Sequence, residues 1–211
     1  MTVTLPCTYI GSTALYKLMA GASTVYVEVY DHYSRQTFRT RTVIMGANGQ
    51  EALTIPVVKP EEKTLVKDIL INNDKKWQIE HLRALQTAYN TSPFLEFYID
   101  DLMPFYTKKF KYLADYNMQM TQTICSLLGI SPELRFTDHY EKVLENDYRH
   151  LVEKHAQVPE CLNLEPYYQV FGRKFGFQPN LTILDLIFNM GPESILFVKK
   201  RLNVSPDGIS L

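Results

Sequence analysis

The chain has 211 residues, 45% of them hydrophobic and 12% aromatic, with a net charge of −1. That is enough for a single domain with a sizeable core, and the near-zero charge excludes a nucleic-acid-binding face spread over the whole molecule. The three cysteines, Cys7, Cys125 and Cys161, are widely spaced and form no CxxC, which argues against a disulfide framework or zinc knuckle and fits a reducing cytoplasm.

The opening MTVTLPCTYIGS has neither a basic n-region nor a long apolar h-region, so it does not read as a secretory signal. Residues 2–7 read as a short strand, followed by a helix over 12–21 with Ser12 as N-cap and Gly21 as its end. TVYVEVY alternates through Val25, Val27 and Val29 and predicts a strand over 24–30. A βαβ opening of this kind favours parallel pairing. RTVIM and ALTIPVV read as two further strands around a tight turn at Asn48-Gly49. Pro56 makes the second an edge strand or a strand end, and KDILI reads as another short strand.

From Lys76 the period becomes helical. Trp77, His81, Leu85 and Ala88/Tyr89 share one face. Ser92-Pro93 breaks that helix and starts another through about Tyr106. A long amphipathic helix is expected from Phe110 to Leu128, closed by Gly129. A helix is expected near 140–155. Pro166 reads as the first residue of a helix ending at Gly172 or Gly176, with Tyr167, Phe171 and Phe175 stacked along one face. Thr182-x-x-Asp185 has the capping-box pattern and opens a helix through Asn189. Gly191-Pro192 starts a last helix ending in KKRL. Residues 1–203 read as one domain and 204–211 as a flexible tail. Apolar runs are broken by charges, as in TILDLIF, and none approaches the ~18 residues that span a bilayer. The fold class is α/β: a mixed, mainly parallel N-terminal sheet with a largely helical C-terminal half, α+β being the alternative.

The loop after the TVYVEVY strand concentrates His32, Arg35, Arg39 and Arg41. In a parallel α/β unit it leaves the carboxyl end of the strand, where ligands bind. Arginines there suit a phosphate or carboxylate, which a guanidinium grips with two parallel hydrogen bonds; a solvated turn with surface ion pairs is the alternative. His81, one turn after Trp77 on an apolar stripe, is either a core histidine or a general base. Asp185 either reaches back to the Thr182 N–H or serves as a ligand or base. Asn189 either faces a cleft or caps its turn, and Tyr168 and Gln169 are placed to meet a sugar hydroxyl. Asp138, His139, Asp147, His150 and His155 cluster in sequence but match no metal-ligand spacing, so no metal is assigned. No GxGxxG or P-loop is present.

Three blocks, in order, carry a resemblance to a known family: VYVEVYDHYSRQTFRTRTVI through ANGQEALTIPVVK, then KKWQIEHLRALQTAYNTSPFLEFY, then YYQVFGRKFGFQPNLTILDLIFNMGPES. Together they resemble the WbqC-like family. The first block is similar to the family's pattern of a lysine followed by an Asn-Arg pair. Arg35 stands where the lysine is usual, Thr40 where the Asn is usual, and Arg41 matches the Arg. The chain departs from many members between about Leu134 and Pro166, where the family often carries a longer segment. The resemblance implies a role in bacterial surface-polysaccharide (O-antigen) synthesis, with transfer of glycine or another amino acid onto an amino sugar. The small-molecule substrate would be a sugar nucleotide or an activated amino acid. Arg41 with Arg35 would form the anion clamp, with His32, Trp77, Tyr168, Gln169 and Asn189 around the substrate and His81 or Asp185 as base. A non-catalytic subunit of a glycan-synthesis complex is the alternative. Cofactor and oligomeric state stay open, and the expected compartment is the cytoplasm, without membrane insertion or nucleic acid.

Overall fold

The computed structural model describes residues 1–162 and 165–199. Strand β1 (Thr2–Pro6), helix α1 (Thr13–Gly21) and strand β2 (Thr24–Glu28) form the expected parallel βαβ unit. Val3, Leu5 and Val25 are wholly buried, which fixes the register by placing one face of each strand in the core. Ser12 occupies the N-cap position of α1, but its hydroxyl makes no capping bond. The first amides of α1 go instead to the Leu181 carbonyl, from Thr13 at 3.1 Å, and to Asn180 Oδ1, from Ala14 at 3.0 Å.

Strands β3 (Arg41–Gly46) and β4 (Gly49–Thr54) form a separate antiparallel hairpin. Its two-residue loop is Ala47-Asn48, and Gly49 takes a φ of +114° that a side chain would resist. β4 ends two residues before Pro56, as that proline requires. Thr182 donates its amide to the Val43 carbonyl at 3.2 Å, tying the hairpin to the C-terminal helices.

Helix α2 (Trp77–Tyr89) buries Trp77, His81, Leu85, Ala88 and Tyr89, the stripe that the helical period marks. Helix α3 (Leu95–Thr107) and helix α4 (Leu113–Leu127) complete the helical half of the core. Tyr116 of α4 is its hub: the rings of Tyr9, Trp77, Phe105 and Phe110 lie 5.0 to 5.9 Å from it. Strand β5 (Glu133–Phe136) then returns to pair parallel with β2, giving the order β1-β2-β5. The remaining helices are α5 (Gly172–Phe175), α6 (Ile183–Met190) and α7 (Ser194–Lys199).

The α/β class holds, with four differences of detail. The strands form two sheets rather than one mixed sheet, and the third parallel strand comes from the C-terminal half. KDILI is not a strand: Val66–Asp68 is a 3-10 turn, and only the single bridges Val57 to Ile71 and Leu70 to Tyr112 follow. The region near 140–155 holds only a 3-10 turn at Arg149–Val152. Asn146 there is left-handed at φ +53°, and its segment spends its backbone bonds on the edge of β1: Thr4 N to Asn146 O at 3.1 Å, Tyr148 N to Thr4 O at 2.9 Å. Pro166 starts no helix. The Gln169 side chain pairs with the Gln178 main chain at 2.8 and 3.0 Å and closes a loop around short α5. Tyr167 packs on Phe177 and Phe197 rather than in the stack predicted with Phe171 and Phe175. The KKRL helix end and the tail over 204–211 lie outside the described residues.

Candidate functional site

The strand order β1-β2-β5 runs one way, so no crevice opens at a reversal of strand order. A concave feature forms where the 31–41 loop, downstream of β2, meets the chain leaving β4. The loop is held from within by one of its own arginines. Arg39, 4% exposed, ion-pairs with Asp31 and donates to Ser34 Oγ at 2.9 Å. Its carbonyl accepts from Asn117 Nδ2 of α4 at 2.9 Å. Thr37 donates its hydroxyl to the Ser34 carbonyl at 3.1 Å, and Gln36 takes the left-handed φ of +61° that tightens the turn. Outward bonds fix the rest: Tyr9 N to Phe38 O at 2.9 Å, Phe38 N to Val152 O at 2.9 Å and Ile55 N to Thr40 O at 2.8 Å.

With Arg39 consumed, Arg35 and Arg41 remain. Both line an open cleft of about 340 Å³, and Lys59 joins them from the segment after β4. Arg41 Nε makes a long hydrogen bond to Thr54 Oγ1 at 3.4 Å. Among the described residues no carboxylate pairs with Arg35, Arg41 or Lys59, and no Asp or Glu belongs to the cleft lining. Tyr33, Pro56, Val57 and Pro60 add apolar surface. Three unneutralised cations beside an apolar wall suit an anionic small molecule that also carries a ring.

His81 does not line this cleft. It is 5% exposed, with its ring stacked on Tyr9 at 5.6 Å and edge-on to Trp77 at 5.2 Å. The Tyr9 hydroxyl and His81 Nδ1 share a hydrogen bond of 2.9 Å. Burial lowers the His81 pKa to about 4, against an opposing bond to the Thr54 backbone.

Asp185 is also outside the cleft lining. It is 1% exposed, and its carboxylate does not cap α6. Oδ2 accepts instead from the Tyr167 hydroxyl at 2.7 Å and Gln169 Nε2 at 2.8 Å. Burial pushes the carboxyl above its usual range, opposed by those hydrogen bonds. Tyr89 of α2 completes the group. Its hydroxyl makes no hydrogen bond of ordinary geometry among the described residues, and burial and then the Asp185 charge hold its ionisation well above the usual tyrosine range. Asn189 donates to the Asp185 carbonyl one turn back at 2.7 Å and leaves its own Oδ1 buried without a partner among the described residues.

The candidate residues thus separate. Arg35 and Arg41 share the cleft with Thr40. Trp77 and His81 lie in the aromatic core, while Asp185, Gln169 and Asn189 share the buried network. Tyr168 is exposed. His32 is exposed too, bridges Leu65 through its backbone, and is outside the cleft lining. Sequence reasoning missed Lys59, whose one signal is its place next to Pro60 in the segment after β4, and Tyr167, which the helical period places in a stack. The thiols suit packing: burial raises Cys7 to about 11 and Cys125 to about 12. Among the described residues no group of three or more His, Cys, Asp or Glu is placed to hold a metal, and no helix is long and apolar enough to cross a membrane.

No solved structure matches this chain significantly. The chain is similar to the "Uncharacterized protein Rv1507c" of Mycobacterium tuberculosis (strain ATCC 25618 / H37Rv), at 27% identity over 198 residues, covering 79% of this chain and 84% of that protein. The model of the WbqC-like protein family matches residues 7–163. That span includes the cleft and the aromatic core and stops short of Tyr167 and Asp185. On the strength of that match the chain belongs to the WbqC-like protein family.

Proposed function

We propose that the Arg35–Arg41–Lys59 cleft binds the anionic group of a reactant in a cytosolic transferase reaction of surface-polysaccharide synthesis, in which an amino acid such as glycine is joined to an amino sugar. The observation that carries this reading is the convergence of three cations, unpaired among the described residues, on a cleft whose loop is pinned by a fourth. In that reaction the acceptor amine attacks an activated carbonyl carbon and a C–N bond forms. The bond to the leaving group breaks, and the amine's proton passes to water. A cationic clamp supports such a step by positioning the reactant and holding its negative charge. His81 and Asp185 sit outside the cleft, so their part is to brace its walls and the adjoining helices.

The test is a thermal-shift screen against sugar nucleotides, ATP, aminoacyl-adenylate analogues and free amino acids, repeated with Arg41→Ala. A ligand that binds only the folded state raises its stability by RT ln(1 + [L]/Kd). Stabilisation by one class, lost in the variant, supports the reading; unchanged binding and unchanged glycan output in a folded Arg41→Ala protein overturn it.

One observation favours a second reading, a non-catalytic binding subunit of a glycan-synthesis assembly. Arg41, Asn189 and Tyr168 do not meet: the first lines the cleft, the second is buried and the third is 57% exposed. Ligand binding without turnover across all donor and acceptor pairs would select it.

A further inference from the structure

We infer that the cleft selects a diphosphate ester, the diphosphate of a sugar nucleotide, over the carboxylate of an amino acid. This deepens the reading above and rests on the cleft being a ligand site.

Charge bookkeeping decides between the two anions. The lining contributes Arg35, Arg41 and Lys59 and no acidic side chain. A free amino acid carries its ammonium within a few ångströms of its carboxylate. Bound here, that ammonium would face three cations with no carboxylate in the lining to receive it, and like charges at such range repel. A diphosphate carries two to three negative charges over several oxygens and no positive group. Two guanidiniums can each bind it through paired hydrogen bonds, with the Lys59 ammonium as a point charge.

The uncharged part of the lining points the same way. Tyr33, Pro56 and Pro60 give apolar surface for the face of a sugar or base ring. At about 340 Å³ the cleft falls at the small end of ligand pockets, which run from roughly 300 to 1,000 Å³. It therefore holds the diphosphate and one attached ring, with the rest of a sugar nucleotide extending into solvent. Arg39 cannot join the clamp, because Asp31 and Ser34 already occupy its guanidinium.

The experiment is isothermal titration of the intact chain with inorganic pyrophosphate, uridine diphosphate, orthophosphate, acetate and glycine at fixed ionic strength. Arg41→Ala, Arg41→Lys and Lys59→Ala are titrated in parallel, with folding checked by circular dichroism. Pyrophosphate and uridine diphosphate should bind about tenfold or more tightly than orthophosphate, and acetate and glycine should give no heat. Arg41→Ala or Lys59→Ala should weaken diphosphate binding about tenfold to a hundredfold, and Arg41→Lys by less. Orthophosphate binding as tightly as pyrophosphate overturns the inference. So does glycine or acetate binding that depends on Arg41, although the cleft then survives as a ligand site. Diphosphate binding unchanged in both alanine variants, or absent from the native chain, removes the cleft reading and the inference together.

Discussion

Tyr9 of the β1–α1 connection and His81 of α2 are joined by a 2.9 Å hydrogen bond between the phenol and Nδ1, and the Tyr106 hydroxyl lies 3.3 Å from the same phenol oxygen. Burial keeps this imidazole neutral, lowering its pKa from 6.5 to about 4. The unfolded chain therefore takes up a proton between those values that the folded chain refuses. The stability held above pH 6.5 is lost as pH falls toward 4, by on the order of 3 kcal/mol. Urea midpoints measured from pH 7 to 4 should fall for the native chain and fall less steeply for His81→Gln.

Arg39 and Arg41 are separated by a single residue but do opposite work. Arg39→Ala removes the partner of Asp31 and Ser34 and should cost about 1–3 kcal/mol, with earlier proteolytic cleavage in the 31–41 loop. Arg41→Ala leaves a cleft residue with one long hydrogen bond and should change stability by no more than about 0.5 kcal/mol. Equal losses in the two unfolding curves would contradict this division of labour.

The Asp185 network predicts an order among substitutions. Asp185→Ala takes the acceptor from the Tyr167 hydroxyl, while Gln169 Nε2 keeps the Gln178 carbonyl at 3.0 Å, and should cost roughly 1–3 kcal/mol. Asp185→Asn keeps an acceptor oxygen in place and should cost less. Because the folded carboxyl is raised above its ordinary 3.8, the native chain loses stability as pH rises through that window, and Asp185→Asn should not. Denaturant titration of the three proteins at two pH values checks both statements.

Gly191 joins α6 to α7 with φ at +53°, and a Cβ there would come within 2.6 Å of the Phe94 ring. Gly191→Ala therefore meets strain and overlap together and should destabilise by about 1–3 kcal/mol. Phe94→Ala should relieve part of the overlap, so the double variant should lose less than the sum of the single losses. Additive thermal unfolding free energies would argue against that contact.

What the sequence made legible follows from range. The α2 stripe from Trp77 to Tyr89 and the βαβ opening are encoded in local periodicity, and both appear as read. Arg35 and Arg41 were found by chemistry and by their place after a strand. Strand β5 escaped because four residues, ELRF, with three of them exposed, carry too little alternation to mark a strand. The 140–155 helix was a false reading because that segment satisfies its backbone on the distant strand β1. For Asp185 the sequence offers a local cap, because TILD matches that pattern, or a base. Its real partners, Tyr167 and Gln169, reach it through a chain reversal that Gln178 closes.

The middle strand of the parallel sheet, β2, is completed by a strand made after the entire α2–α4 run. A nascent chain emerging from the ribosome thus shows β2 with its β5 edge bare until residues 133–136 appear. Truncations ending before that point would keep the edge open for good and expose Val25 and Val27 to other chains. Soluble expression of C-terminal deletions should therefore break down between endpoints just before and just after β5, at a position set by strand pairing rather than by length.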